Sequence, residues 1–533
     1  MKRTILASVS AVALLAAAPA FAQNTSTVTQ SGGTNTATVD QGGSGSDSDV
    51  TQTGTSGVVD VDQAGSNNDS DVTQAGTSAE ARVDQNGAGN KSTVNQTGGT
   101  DAFADVEQDG AGNTSNVQQT AGASATVNQT RSQELFGGGN TSDIFQHAAG
   151  ATAIVNQTGE LNDSLVTQNA AAEADVTQEG IYNFSTVTQN AAGATATVRQ
   201  EGVPSTGGPG VGQGDNLSFI TQNGDSTATV TQTANNPTNG APSNDSEITQ
   251  NGDAAEATVT QTGDNNVSDV TQGHNSFATV TQDGDDNTSL VNQTGNPGYA
   301  TTAFVEQIGD RNDSEIQQTG DAITANVLQN GSDNTSFISQ SRRGGVAHVD
   351  QLGDLGQSTI MQTGENNAVG TTSTAGVTQL AGSTNAKSYI EQGGRINSAT
   401  VTQGGSNNES QIRQNIGSLS DGINTENVAK VTQQASDNFS KIDQGPGDPF
   451  VGTGGPTSDK NYAEVEQLGS ENDSFVTQNG DGHDAYVTQN GNNNLSTLTQ
   501  SGSLNTATVT QNTHGNISTV TQTGSGAVAT VTQ

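Results

Sequence analysis

Several residue types that usually build or cross-link a globular core are scarce or absent from this 533-residue chain. There is no Cys and no Trp, aromatic residues make up 3%, and all hydrophobic residues together make up 29%. Without Cys the chain forms no disulfides and offers no thiolate ligand to a metal. So few apolar residues exclude a thick globular core, and composition alone would indicate disorder.

Positive charge and long hydrophobic runs are scarce as well. The chain has 15 Lys and Arg against 55 Asp and Glu, which gives a net charge of −40. There is no basic stripe to neutralise phosphates, so nucleic acid is not expected as a partner. No stretch reaches the roughly 20 apolar residues of a membrane span, so membrane insertion is not expected either.

The N-terminal segment has the three parts of a secretory signal peptide. Lys2 and Arg3 form a charged region, residues 5–18 an apolar region, and residues 20–22 a small-x-small cleavage site. We therefore expect residues 1–22 to be removed, and the mature chain to be secreted to the extracellular space or cell surface.

A five-residue motif, small-x-(Val/Ile)-x-Gln, recurs about every 11 residues along the rest of the chain. It stands at residues 70–74, 81–85 and 92–96, and there are about 42 copies, the last ending at Gln533. A fixed period of this kind is the signature of a repeat architecture, and it indicates order despite the composition.

The pattern within each copy predicts a β-strand. Successive side chains of a strand point to opposite faces, so Ser268, Val270 and Gln272 share one face while Asp269 and Thr271 share the other. The first face is expected to be buried. The period of two favours strand over helix.

Six residues, as in 262–267, separate consecutive copies, and they are rich in Gly and Asn. These residues tolerate the positive φ angles of tight turns. Copies that begin with Ala alternate with copies that begin with Ser, so the full unit has two strands and about 22 residues. The predicted turn residues are Gly263, Asn266, Gly284, Asn287, Gly491 and Asn494.

A unit of two short strands cannot bury its own apolar face, but stacked units can. The sequence predicts an all-β, cross-β-like β-solenoid of about 23 two-strand rungs with two facing parallel sheets, about 110 Å long. Like residues would form columns, in which each buried Gln bonds to the Gln of the next rung. The predicted column residues are Val72, Gln74, Val83, Gln85, Val259, Gln261, Val270, Gln272, Val476, Gln478, Val487, Gln489, Val531 and Gln533.

Longer spacings between copies are predicted to be loops extruded from a single solenoid of residues 23–533. They contain all eight prolines of the mature chain, which cannot donate to a strand ladder. Because copies are present at both ends, we expect the terminal rungs to expose open strand edges. The predicted loops lie near 131–141, 201–215, 233–245, 294–302, 363–375, 415–427 and 445–460.

The longer pattern Gln-x-Gly-x-x-Asn-x-(Ala/Ser)-x-x-x-Gln resembles the repeat of curlins, the secreted amyloid subunits of bacterial curli fibres. It stands at residues 261–272, 282–293 and 489–500, and the resemblance covers essentially the whole mature chain. The resemblance implies export through outer-membrane secretion machinery and polymerisation with copies of itself, with or without a nucleating or co-assembling curlin. It also implies roles in biofilm matrix and adhesion. A main subunit, a nucleator and a fibre-associated adhesin all remain open.

The sequence predicts no catalytic, cofactor-binding or metal site, and no enzyme activity. The five His residues are scattered and lack the spacing of a zinc site. Ser and Thr are abundant but have no His partner suited to a triad. Two alternatives to a fibre subunit remain: a monomeric rod that binds ice or glycans through outward Thr residues, and a disordered matrix polypeptide.

Overall fold

The computed structural model describes residues 23–131, 138–202, 216–234, 244–341, 343–363, 373–394, 396–414, 426–445 and 460–533. The predicted signal peptide lies outside the described residues. So do most of the predicted loops, except the one near 294–302, and all of the mature prolines except Pro297.

The described residues form 42 β-strands and no helix, hence no helix that could cross a membrane. The first half comprises β1 (Thr25–Gln30), β2 (Thr36–Ser44), β3 (Asp47–Gln52), β4 (Val58–Ser66), β5 (Asp69–Gln74), β6 (Glu80–Ala88), β7 (Lys91–Gln96), β8 (Phe103–Ala111), β9 (Thr114–Gln119), β10 (Ser124–Thr130), β11 (Thr141–Gln146), β12 (Thr152–Glu160), β13 (Asp163–Gln168), β14 (Glu173–Ile181), β15 (Phe184–Gln189), β16 (Thr195–Glu201), β17 (Leu217–Gln222), β18 (Thr227–Thr233), β19 (Asp245–Gln250), β20 (Glu256–Thr262) and β21 (Val267–Gln272).

The second half continues with β22 (Ser276–Asp283), β23 (Thr288–Gln293), β24 (Thr301–Ile308), β25 (Asp313–Gln318), β26 (Thr324–Asn330), β27 (Thr335–Gln340), β28 (Gly345–Gln351), β29 (Gln357–Gln362), β30 (Ser373–Gln379), β31 (Lys387–Gln392), β32 (Ser398–Gln403), β33 (Glu409–Gln414), β34 (Val428–Gln433), β35 (Phe439–Gln444), β36 (Tyr462–Gln467), β37 (Asp473–Asp481), β38 (Asp484–Gln489), β39 (Leu495–Ser503), β40 (Thr506–Gln511), β41 (Ile517–Ser525) and β42 (Val528–Thr532).

The strands build a parallel β-solenoid with two sheets. Apart from the first and last strand of each sheet, every strand pairs in parallel with the strands two before and two after it, so the 21 odd-numbered strands form one sheet and the 21 even-numbered strands form the other. One odd and one even strand make a rung, and the rod is about 100 Å long at the usual strand spacing. The predicted fold class is confirmed, with 21 rungs where the sequence suggested about 23.

The register places like inward residues beside one another along the rod. In the pair β21–β23, Val270 lies beside Val291 and Gln272 beside Gln293. The register also survives the long insertions: Gln433 lies beside Gln467 although 33 residues separate them in the chain. The described strands therefore keep the same register on the two sides of an insertion.

The core lies between the two sheets and is thin. One continuous cluster of buried Val, Ile, Ala and a single Leu runs along the rod. Odd strands place Ser where even strands place Ala, as at Ser268 and Ala257, and both residues are buried. Strands form here because inward small, Val and Gln residues alternate with outward polar residues, and because the frequent Val, Ile and Thr suit a pleated surface buried on one side.

The loop near 294–302 is shorter than predicted, since β24 already begins at Thr301. Pro297 lies in this segment between β23 and β24, and no described strand contains proline. This distribution fits strands whose backbone N–H groups are used in the ladders.

Candidate functional site: the buried amide columns

Two columns of Gln side chains run inside the rod, one from each sheet. Gln261 illustrates the geometry. Its Oε1 accepts a 2.8 Å hydrogen bond from Nε2 of Gln232 in the rung before, and its Nε2 donates a 2.8 Å bond to Oε1 of Gln282 in the rung after. Gln261 is fully buried, so these bonds form away from water, where an unpaired amide would be costly.

A further bond crosses the core and fixes the orientation of each amide. Nε2 of Gln261 also donates to the carbonyl oxygen of Asp245, at 2.9 Å, on the opposite sheet. A carbonyl oxygen only accepts, so the amide nitrogen must face it. The Gln columns therefore tie neighbouring rungs together and also tie one sheet to the other.

Every Gln–Gln bond in the two columns has the same direction. In the odd sheet the donor always belongs to the rung nearer the N-terminus. The even sheet has the same polarity. The columns consequently present acceptors towards one end of the rod and donors towards the other.

The predicted Val positions accompany the Gln columns. Val72, Val83, Val259, Val270, Val476 and Val487 are all buried, as are Gln74, Gln85, Gln261, Gln272, Gln478 and Gln489. The last rung differs, because Val531 is half-buried and Gln533 is exposed. No described rung lies beyond them to cover these side chains.

Two further columns, both made of Asn, are inward ladders that are not predicted from the sequence: one precedes the odd strands, and a shorter one, which includes Asn427, Asn461 and Asn505, precedes the even strands towards the C-terminal end. Asn266, Asn287 and Asn494 were expected only as turn residues, and the structure buries all three. Oδ1 of Asn266 accepts hydrogen bonds from both the backbone N–H and Nδ2 of Asn287, each at 3.1 Å. The signal was available: Asn266 precedes Ser268 by two residues and therefore shares its face.

The glycines of the turns are required by close backbone approach. Gly263 has φ 111° and Gly284 has φ 130°, and a Cβ on Gly263 would lie 2.1 Å from the carbonyl oxygen of Gly284. Gly491 lacks a positive φ, but a Cβ there would lie 2.1 Å from the carbonyl oxygen of Thr513. Stacked turns thus leave no room for a side chain at these positions.

Acidic side chains stack on the outer faces of both sheets near the N-terminal end of the rod. On the even sheet, Asp62, Asp84 and Glu107 lie beside one another on consecutive strands. Partial burial, and then the charges of neighbours including Asp62 and Glu107, raise the pKa of Asp84 above its usual value. Burial and the neighbouring Asp69 likewise raise the pKa of Asp71 on the odd sheet. The stacked carboxylates repel one another.

Nothing in the described part of the chain groups three or more His, Asp or Glu side chains in a way that could hold a metal ion. The arrangement that the fold builds is instead a repeated lattice of buried amides and backbone ladders. Its chemistry is directional hydrogen bonding along the rod axis.

Comparison with known families gives one match. Six stretches of the chain match the model of the curlin associated repeat, at residues 23–54, 65–98, 170–202, 241–272, 273–301 and 476–502. A search of curated proteins found no match. The matched stretches begin with the first rung and reach β39, and each lies on the strand–turn–strand unit described above.

Proposed function

Since this chain is a curlin-family repeat protein, we propose that it is an extracellular structural protein that assembles end to end into curli-type amyloid fibres. Such fibres would serve in biofilm matrix and adhesion. The observation that carries the proposal is the pair of in-register Gln columns, whose unidirectional bonds a further rung would simply extend. The partner is a second copy of the same chain.

The two ends of the described rod have the groups that such stacking needs. Within the described residues, β1 and β2 pair on one side only, and so do β41 and β42. By the polarity of the columns, Gln30 and Gln41 offer free Oε1 acceptors, while Gln522 and Gln533 offer Nε2 donors. Docking β41 and β42 against β1 and β2 of another copy would pair Gln522 with Gln30 and Gln533 with Gln41. Docking like end on like end opposes acceptor to acceptor.

Sequence similarity at the two ends supports the same arrangement. Residues 24–30 read Asn-x-Ser-x-Val-x-Gln, and residues 516–522 have the same pattern. Stacking β1 on β41 would therefore continue the Asn, Ser, Val and Gln columns of the odd sheet without a break. Open strand edges of this kind template the addition of further strands.

The negative charge of the outer faces opposes association of separate chains side by side. A net charge of −40 keeps separate chains apart and soluble before they meet end to end. We propose that residues 1–22 direct export and that the mature chain then crosses the outer membrane through secretion machinery. Outside the cell it associates with copies of itself, with or without a nucleating or co-assembling curlin.

A fibre-growth assay tests the proposal. Purified residues 23–533 should form thioflavin-positive fibres, growth should be accelerated by preformed seeds, and oriented fibres should diffract at about 4.8 Å along the fibre axis. Chains that stay monomeric for days despite seeding would contradict it. Fibres without the axial reflection would contradict the stacking.

A second candidate function is binding of ice or a crystalline glycan by the monomeric rod. One observation favours it: three consecutive even strands carry outward Thr pairs in register, spaced by about 4.8 Å across strands and about 6.6 Å along each strand. The pairs are Thr229 and Thr231, Thr258 and Thr260, and Thr279 and Thr281. Thermal hysteresis of the soluble monomer would support this function, and its absence would leave the fibre proposal alone.

A further inference from the structure

One His residue replaces an Asn inside the core near the C-terminal end of the rod. His483 stands directly before β38, at the position that Asn461 and Asn505 occupy 22 residues before and after it. Its side chain is fully buried. His483 is therefore a titratable group within an amide column that otherwise carries no charge.

The hydrogen bonds of His483 admit only one neutral form of its ring. Nδ1 accepts a hydrogen bond from the backbone N–H of Asn505, at 3.3 Å, so this nitrogen must be unprotonated. Nε2 lies 3.3 Å from the carbonyl oxygen of Asn479, which only accepts, so this nitrogen must carry the hydrogen. The backbone N–H of His483 bonds to Oδ1 of Asn461 at 3.0 Å, as an Asn in this column does.

We propose that His483 is an acid-sensitive switch that releases the C-terminal rungs, β39 to β42, from the rest of the solenoid. Protonation adds a hydrogen to Nδ1, which gives the ring its second N–H, and this N–H points at the backbone N–H of Asn505. Two donors then face each other in a buried site, and the contact between the rung of β38 and the rung of β40 is lost. An Asn at the same place has no proton to gain in this pH range.

The surroundings of the ring oppose its charged form. Burial lowers the pKa of His483, and this effect outweighs the smaller raising effects of the hydrogen bonds to the backbone of Asn479 and Gly502 and of the carboxylates of Asp481 and Asp484. The elements stacked on the ring contribute Asn461 and Asn505, which are neutral, and Gln478 bonds to the carbonyl oxygen of His483. The neighbouring amides therefore supply no charge to stabilise an imidazolium.

The sign of the pH effect follows from linkage. Above about pH 6.5, the usual His pKa, the ring is neutral whether the rungs are open or closed. As the pH falls below this value, the open state takes up the proton first, so opening becomes favoured by up to tenfold per pH unit until the lower pKa of the closed state is reached. Stability lost in this window returns when the pH is raised.

Two other His residues accept a backbone N–H at Nδ1, but both are at the surface. Nδ1 of His514 accepts from Asn492 at 2.8 Å, and Nδ1 of His274 accepts from Asp253 at 3.0 Å. His514 is exposed and His274 is half-buried, so water can reach the backbone N–H groups that bond to them. Water cannot do this at His483, because His483 is fully buried.

The switch has a consequence for fibre growth, and this consequence rests on the proposed function. If chains stack end to end, acid would disorder the donor end formed by β41 and β42 while leaving the N-terminal end intact. Fibre growth from the C-terminal end would then be slower in mildly acidic surroundings and would recover on neutralisation.

Hydrogen exchange on the soluble mature chain tests the switch without requiring assembly. Between pH 7.5 and 5.0, protection factors for residues 495–511, which form β39 and β40, should fall by tenfold or more, whereas those of residues 69–96, which contain no His, should not fall. His483→Asn should remove the extra loss, and His514→Asn should retain it. An equal fall in the wild type and in His483→Asn would overturn the proposal.

A growth assay then separates the switch from the proposed function. Seeded growth at pH 5.0 relative to pH 7.5 should be faster for His483→Asn than for the wild type. If neither chain forms fibres at any pH, the fibre function fails while the exchange result still decides the switch. If both form fibres with the same pH dependence, the switch has no part in assembly and that consequence is rejected.

Discussion

Asn287 donates two hydrogen bonds back to Oδ1 of Asn266, its counterpart in the rung nearer the N-terminus. The Gln columns of the same rungs donate in the opposite direction, as from Gln261 to Gln282. Each column is therefore polar, so a rung fits the next one in a single orientation.

Loss of Gln side chains should weaken the stack far more than changes on the outer face. Replacing Gln478, Gln489 and Gln500 by Ala removes bonds of 2.9 Å to the following rung and leaves buried amides unpaired. We expect a loss of roughly 1–3 kcal/mol in unfolding free energy for each group left unpaired. Seeded growth should slow at least tenfold.

The matched control replaces the outward residues Thr477, Thr488 and Thr499 by Ser in the same three strands. Their side chains face away from the core, so each change should alter unfolding free energy by no more than about 0.5 kcal/mol. Denaturant unfolding and growth rates measure both sets. Equal effects of the two sets would contradict the assigned faces.

The Ser column should tolerate Ala. Oγ of Ser268 is buried and has no hydrogen-bond partner, and the same holds for Ser246 and Ser289 in the adjacent odd strands. Ser268→Ala removes a desolvated hydroxyl without breaking a bond, so stability should be unchanged or higher by up to about 1 kcal/mol. Val270→Ala, one inward position further on, should instead cost about 2 kcal/mol. A loss for Ser268→Ala as large as for Val270→Ala in thermal unfolding would show that the hydroxyl is bonded.

Glycine should be essential in the stacked turns and dispensable on the strand surface. Gly284 has φ 130°, and a Cβ there would lie 2.1 Å from the carbonyl oxygen of Gly309. Gly284→Ala should therefore displace a turn and lower the midpoint of denaturant unfolding. Gly376→Ala is the control, because its Cβ would meet nothing closer than Cγ2 of Thr400 at 3.7 Å, and it should stabilise the strand by about 0.5–1 kcal/mol. Similar midpoints for the two variants would argue against the close approach of successive turns.

The acidic columns should make the rod more stable as the pH falls towards 4. The raised pKa of Asp84 means that the folded state binds its proton before the unfolded state does, so stability rises as the pH falls through the folded pKa towards the unfolded value near 3.8. Asp84→Asn should stabilise the rod at pH 7 and lose that advantage near pH 4. Unfolding midpoints at the two pH values, at low and high salt, measure the effect. An advantage of the same size at both pH values would assign it to packing rather than charge.

The repeat made the strands, their faces and the stacking predictable. Val270 and Gln272 alternate with Asp269 and Thr271, and this period of two is local information that a sequence displays directly. The prediction that Asn266 is a turn residue is correct for its place in the chain but does not include the burial of its side chain. Its inward side chain follows from the same parity, but the Gly and Asn-rich context favoured a turn interpretation. The burial of His483 could have been inferred from its 22-residue spacing to Asn461 and Asn505.

The sequence by itself determined that short strands repeat with Val and Gln on one face, because side-chain alternation is a property of each strand alone. Only the tertiary structure decided the direction of the amide bonds, the unpartnered state of the Ser hydroxyls and the single allowed form of the His483 ring. These depend on atoms from chain segments about 22 residues apart meeting in three dimensions, where each donor must find an acceptor away from water.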